Sequence, residues 1–306
     1  MKDFNKKIKS GVLLSLGVLL LLASACKKNE APLTPTTEPE PGFKLPQGNH
    51  NYDQRIMSYY NKWGTYVLYK FTKQDYTYQI SGYDTKYVAV PADTNYINQQ
   101  LDLLESTFFK YYGDSTLRKY LPVKFFLCSS LIYNNNGQQV NGYLLPFANG
   151  FLGGFESFAA NGGNSTVLTL NKVAYRSDIN FSFLKMMDLQ FKIKQSTTFI
   201  SLSDYVTAFP TTPVATQADR YKRGFLGTTS GITNAGDDWR SYIQAIVSNP
   251  YTFLTDPATT ATDVTHKGIL SSVKDPTGIV RRKYDAMIAH YKTQYGIDLQ
   301  VIGNGG

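Results

Sequence analysis

The sequence is poor in the side chains that most often carry chemistry. Of 306 residues, two are cysteines and three are histidines. Cys26 closes an apolar N-terminal run and Cys128 lies in the apolar stretch VKFFLCSSLIY, so neither a disulfide framework nor a cysteine-rich metal site can be built. Cys128 reads as a buried strand residue. His50 stands beside a Pro-rich segment, His266 in a polar loop and His290 on the last helix, with no two at metal-ligand spacing. No nucleophile elbow, reactive cysteine or Ser/His pairing is visible. The glycine-rich GFLGGFESFAANGG does not lead into a helix with phosphate-loop spacing. The net charge is +8, three units of it within the first 26 residues, but no Lys/Arg cluster is interleaved with aromatics, which argues against nucleic-acid binding.

The first 26 residues read as a leader. Lys2, Lys6, Lys7 and Lys9 precede an apolar run from Gly11 to Ala25 that is short for a bilayer span, the pattern of a secretory signal. Ala23, Ser24 and Ala25 lead into Cys26, and this resembles the lipobox of bacterial lipoproteins, with Ala23 where leucine is usual. The plainer alternative is a secretory signal cut after Ala-Ser-Ala. Acyl chains on Cys26, at about 0.8 kcal/mol per buried methylene, would hold a folded domain on a membrane. Residues 27–48 carry five prolines and little apolar content, so they read as an extended tether. Lys27, Lys28 and Glu30 are similar to the charged signals that sort such lipoproteins to the outside of the outer membrane. The expected layout is a leader over 1–26, a tether over 27–48 and one domain over 49–306. It places an outer-membrane lipoprotein at the surface or facing the periplasm, with the membrane as its partner through the lipid.

Within the domain, YDQRIMSYYNKWGTYVLY predicts a helix giving way near Trp63 and Gly64 to an extended segment. Nine of the 23 tyrosines fall between residues 52 and 87, and exposed tyrosines there would suit a glycan-binding surface. Leu101, Leu104, Phe108 and Tyr111 predict a helix over 94–113, ending at Gly113 and packed behind a sheet. Val123–Tyr133 reads as a strand followed by a turn at 134–137, and NSTVLTLNKVAY (164–175) as another strand. Beyond residue 178 the pattern turns helical: 178–196, about 236–248, and a last helix with Asp275 as N-cap, Pro276 at its first position and Gly296 past its end. Strands first and helices later make the fold class α+β.

On a helical wheel of FLKMMDLQFKIKQ (183–195), Phe183, Leu184, Met187 and Phe191 form one apolar lobe and Met186, Leu189 and Ile193 a second. Lys185, Asp188 and Lys192 lie opposite, with Asp188 at the edge of the first lobe. Chemically this is a buried core helix.

The surroundings of this helix resemble a family of zinc metallopeptidase lipoproteins of Bacteroides-type bacteria. After lipobox and tether come YDQRIMSYYNKWGTYVLYKF, PVKFFL and VLTL. Then follow the helix, ISLSDYVTAF, RGFLGTTSGI, the acidic NAGDDWRSYI and a closing HYKTQYGIDLQVI. The resemblance implies a zincin-like fold, a small mixed sheet followed by a mostly helical half. It also places MDLQFKIKQ where such proteins carry H-E-x-x-H, so that Met187, Asp188 and Phe191 stand at the His, Glu and His positions. A zinc site needs two imidazoles one turn apart, a third protein ligand and a glutamate to deprotonate bound water. Met187 offers a soft thioether and Phe191 offers nothing, so zinc binding is not expected and no catalytic residue is assigned. Asp237 and Asp238 fall in the third-ligand region as a possible acidic groove. Which of them faces the motif is open, and a helix start favoured by the macrodipole explains them equally well.

The leading expectation is therefore a non-catalytic domain whose groove binds a peptide, a glycan or a cell-envelope protein. The alternatives are an active hydrolase using Asp188 with Asp237 or Asp238, and a glycan-binding module relying on the tyrosines of 52–87.

Overall fold

The helical spacing of aromatic residues after residue 50 produces α1 (Asn51–Trp63), which ends at Gly64 in the left-handed region and hands over to the short strand β1 (Tyr66–Leu68). The structure is a computed structural model that describes residues 43–77, 87–133, 157–189, 193–227, 234–257 and 260–306. Cys26, the tether up to residue 42, the turn at 134–137 and Phe191 lie outside the described residues. The compact unit runs from Leu45 to Gly306. Its first residues are tied down by Gln47, whose side chain accepts from the Tyr69 and Lys70 amides at 2.8 and 3.0 Å and donates to the Lys70 carbonyl at 2.7 Å.

After β1 come α2 (Lys73–Thr77), β2 (Tyr87–Pro91), α3 (Ile97–Thr107), α4 (Asp114–Tyr120), β3 (Lys124–Tyr133) and β4 (Ser157–Ala160). The strand β3 is the axis of a small mixed sheet: β1 and β4 run parallel to its first half, and β2 runs antiparallel to its second. Phe125, Phe126, Leu127 and Cys128 are all fully buried, as a strand covered on both faces requires. Burial pushes the Cys128 thiol up, away from the reactive thiolate. The helix α3 lies against this sheet, and the buried Gln100 amide donates to the carbonyls of Cys128, Ala160 and Asn161. Phe108 then packs among Phe125, Phe158 and Phe183, joining the sheet to the helical half.

That half comprises α5 (Lys172–Leu189), α6 (Thr197–Ser201), α7 (Gln217–Lys222), α8 (Ala235–Ser248), α9 (Tyr251–Thr255), α10 (Ile279–Tyr295) and α11 (Leu299–Asn304). The fold is thus α+β, a small mixed sheet followed by a mostly helical half. Among the described residues no helix is long and apolar enough to cross a membrane.

Four local expectations are corrected. Residues 164–175 are not a strand but a 3-10 turn (Ser165–Leu168) and the start of α5. Asn164 Oδ1 takes the Thr166 amide at 2.8 Å, and Asn171 Oδ1 takes the Val173 and Ala174 amides at 3.0 and 3.1 Å. Side-chain caps therefore override the β-branched run. The strand next to β3 is instead β4, inside the glycine-rich connection, with Phe158 opposite Phe125. Gly113 does not close a long helix: it is the N-cap of α4. Finally α5 stops at Leu189, which is 40% exposed, and residues 193–196 are not helical. The last long helix starts at Ile279 with Gly278 as its N-cap, so Asp275 is not the N-cap and Pro276 is not its first residue; the Asp275 carboxylate accepts instead from the Val280 and Arg281 amides at 3.1 and 2.8 Å.

The helices α5, α8 and α11 pack together, and α11 presents Gly303 to the end of α8. A Cβ at Gly303 would collide with the Ile246 carbonyl and lie 2.5 Å from that of Asn249, both rigid backbone. Gly303→Ala is expected to lower stability by about 1–3 kcal/mol through overpacking, read as an earlier midpoint in urea denaturation with an unchanged slope.

Candidate functional site

The expected motif helix is α5, and the structure places Met186 and Met187 wholly inside the core. Asp188, one residue from the end of α5, is 7% exposed. A buried carboxylate at a helix C-terminus is disfavoured by desolvation and by the macrodipole together, so it requires donors. It has two: Gln195 Nε2 donates to Oδ1 at 2.8 Å, and Arg240 Nη1 donates to Oδ2 at 2.6 Å. Gln195 lies in the non-helical segment just before α6, which Ser196 caps by accepting from the Phe199 amide.

Arg240 comes from α8. This helix starts at Asn234, whose Oδ1 accepts the Asp237 amide at 2.8 Å, and its first turn carries Asp237 and Asp238, where the macrodipole favours them. Consecutive helical residues point about 100° apart, so the pair divides. Asp237 stays outside and takes Arg240 Nη2 at 2.6 Å, which lowers its pKa from the ordinary carboxylate value. Asp188 and Asp237 are therefore brought together, not face to face across a cleft but through one guanidinium shared between them. Burial disfavours the charge on Arg240, and its two carboxylates overcome that, raising its pKa.

Asp238 turns inward, 1% exposed, onto the fully buried ammonium of Lys283 on α10. The Tyr205 hydroxyl donates to the same carboxylate oxygen at 2.7 Å. Lys283 also donates to Ser203 Oγ at 2.8 Å and to the Gly224 carbonyl at 3.1 Å, and Phe199, Phe225 and Tyr242 surround it at 4.5, 5.0 and 5.3 Å from their ring centres. Burial pushes Asp238 up and Lys283 down, each opposed by its partner. Ser203 beside a buried lysine is the outline of a nucleophile and base. All three ammonium donors are committed, however, and Ser203 itself donates to the Arg223 carbonyl, so no free base stands there.

Asp238 thus belongs to the core, and Asp237 to the neighbourhood of the motif. Sequence alone carries no mark of Arg240's role: the spacing of Asp237 and Arg240 is the i,i+3 pattern of an ordinary helical ion pair, and Asp188 lies 52 residues away. Close by, Trp239 stacks on Tyr291, and its indole nitrogen approaches the Tyr291 hydroxyl without the geometry of a hydrogen bond. His290 meets Trp239 edge-on and donates from Nε2 to the Lys194 carbonyl at 2.7 Å. His50 sits at the N-cap of α1, and His266 contacts Asn249.

Could these residues hold zinc? Among the described residues no three His, Cys, Asp or Glu side chains stand together as a metal requires. The two carboxylates nearest the motif are spanned by a guanidinium, and Met187 is a buried thioether, so the described donors do not fit the ion.

The family described as "Putative zinc-binding metallo-peptidase" matches residues 52–300, and the chain belongs to that family. A solved structure of a "putative zinc-binding metallo-peptidase" from Bacteroides caccae is similar to it at 16% identity and a TM-score of 0.48, over 83% of this chain and 89% of that one. No curated protein matches the sequence.

Truncating one member of the inner pair tests its weight. Lys283→Met should cost about 3–5 kcal/mol by stranding a buried carboxylate. Asp238→Asn combined with Lys283→Met should recover most of that loss in chemical denaturation.

Proposed function

We propose that this protein is a membrane-anchored extracytoplasmic lipoprotein whose metallopeptidase-like domain binds rather than cleaves. The observation that carries the reading is the engagement of Asp188 by Arg240 and Gln195, at the position where the resemblance puts the zinc motif's glutamate. A carboxylate held by a guanidinium is a weaker proton acceptor than a free one, which disfavours it as a general base. The ligand class is a peptide, a glycan or another cell-envelope protein, and the anchor is lipid on Cys26 in the outer membrane.

The hydrolase alternative has less support. A pair of working carboxylates needs an acid with a raised pKa that reaches substrate. Asp238 is raised but sealed in the core, and Asp237 is reachable but lowered. The tyrosine-based glycan reading has less support, because Tyr52, Tyr59, Tyr69 and Tyr76 are core residues, although Tyr60 and Tyr66 are half-buried and Tyr78 and Tyr83 lie outside the described residues.

Metal analysis of purified residues 27–306 should find zinc far below one ion per chain, even after incubation with zinc and desalting. One ion per chain, lost on Asp188→Ala, would sink the non-catalytic reading. For the anchor, Cys26→Ala should move the protein from the membrane fraction to the soluble fraction of cells. An unchanged distribution would remove the lipid from the proposal.

A further inference from the structure

We propose that Arg220 and Arg223, whose guanidinium groups both lie over the ring of Phe209, form a site for the carboxylate of a peptide ligand, with Arg220 as its anchor. The inference rests on the binding reading above and adds to it a place and a recognised group.

The observation is a buried charge without a counter-charge. Arg220, on α7, is 5% exposed. Taking a guanidinium out of water costs several kcal/mol unless an opposite charge and hydrogen-bond acceptors replace the water. Lys274 and Lys283, both fully buried, meet Asp263 and Asp238. Arg220 has no such partner among the described residues, and its Nη1, shielded from solvent, makes no hydrogen bond. The carboxylates nearest in sequence are engaged elsewhere. Asp219 accepts from the Thr216 amide and hydroxyl and pairs with Lys222, and Asp204 accepts the Val206 and Thr207 amides, with Arg223 the smallest influence on its charge. What meets the Arg220 guanidinium is the Phe209 ring, its centre 4.6 Å away. That contact is worth about 0.5–2 kcal/mol, short of the cost of burial.

Arg223 adds a second positive charge. Its Cζ lies 4.1 Å from the same ring centre and 5.5 Å from that of Phe225, and its Nη2 donates to the Asp204 and Thr207 carbonyls at 2.9 and 2.6 Å. Neutral carbonyls orient a guanidinium without neutralising it. The i,i+3 spacing sets both arginines on one side of the helix end, Phe225 meets Tyr205 and Phe209 edge-on, and Ser203 Oγ donates to the Arg223 carbonyl at 2.8 Å. The cations are therefore held in place before a ligand arrives, and a forked guanidinium pairs with an oxyanion through parallel hydrogen bonds. The neighbouring surface points to a peptide. Val206 precedes the Thr207 that Arg223 holds, and it and Val214 are 84% and 72% exposed, whereas Phe209 and Phe225 are buried. Aliphatic groups beside a cationic pair suit a chain bearing apolar side chains and a carboxylate. A sugar acid would call for open aromatic faces.

The experiment is a thermal-unfolding titration of residues 27–306, which contain the whole compact unit, at constant ionic strength. The probes are acetate, the peptide acetyl-Val-Val-Asp-amide and glucuronate, each exchanged against chloride. Acetate and the peptide should raise the wild-type melting point progressively, the peptide at lower concentration, and glucuronate should act no better than acetate. Arg220→Met, which removes the charge at similar volume, should abolish the response and melt at or above wild type in chloride. Arg223→Gln should weaken the response about tenfold, and no change there would remove Arg223 from the site. A wild type without a carboxylate response, an equal response in Arg220→Met, or an Arg220→Met that melts below wild type in chloride or does not fold would each overturn the site. A stronger response to glucuronate than to the peptide would overturn the peptide assignment. Turnover of the peptide with the Arg220 response intact would defeat the binding reading itself, whereas a wild type that neither cleaves nor responds defeats only the site.

Discussion

The carboxylate of Asp238 has nowhere to go but the core. Taking it and the Lys283 ammonium out of water costs several kcal/mol each, which their contact and the hydrogen bonds of Tyr205, Ser203 and the Gly224 carbonyl offset. The pair therefore fixes how α8 is turned about its axis and how α10 lies against it. With Asp238 pointing inward, helical geometry sends Asp237 and Arg240 to another face, the one that meets the end of α5. The outer ion-pair chain at Asp188 is a consequence of the inner one. Tyr205 and the Gly224 carbonyl, both on connecting segments, take part in the inner pair, so the irregular stretch between α6 and α8 is also held to it.

Much of this was legible in the sequence, for reasons that differ element by element. Helix α1 and its stop at Gly64 followed from local periodicity and a turn residue. So did Leu101 and Leu104 on α3, Phe108 at its C-cap, and the close of α10 at Gly296. The strand β3 declared itself through a long apolar run. Residues 164–175 misled because their composition is strand-like while Asn164 and Asn171 start helical turns, a competition that composition does not weigh. The strand β4 hid among glycines because its pairing partner is about 30 residues earlier and parallel. At the site, the burial of Met187 and the polar nature of Asp188 were readable. What Asp188 touches was not, since Arg240 reaches it from another helix 52 residues on and Gln195 from beyond the end of α5, both only through tertiary packing.

The match over residues 52–300 establishes descent within a group described as zinc-binding, yet the described donors around Asp188 are arranged for a planar organic cation.

The two tryptophans fall one on each side of this architecture. Trp63 stacks on Tyr59, 5.0 Å away, and bonds to Asp114 at the sheet end, whereas Trp239 is sealed between Phe199 and Tyr291 beside the ion pairs. The molecule thus carries an optical reporter in each half, and replacing either indole by phenylalanine isolates the other. Loosening around the charged network can then be followed separately from loss of the sheet, within a single polypeptide and without an attached label.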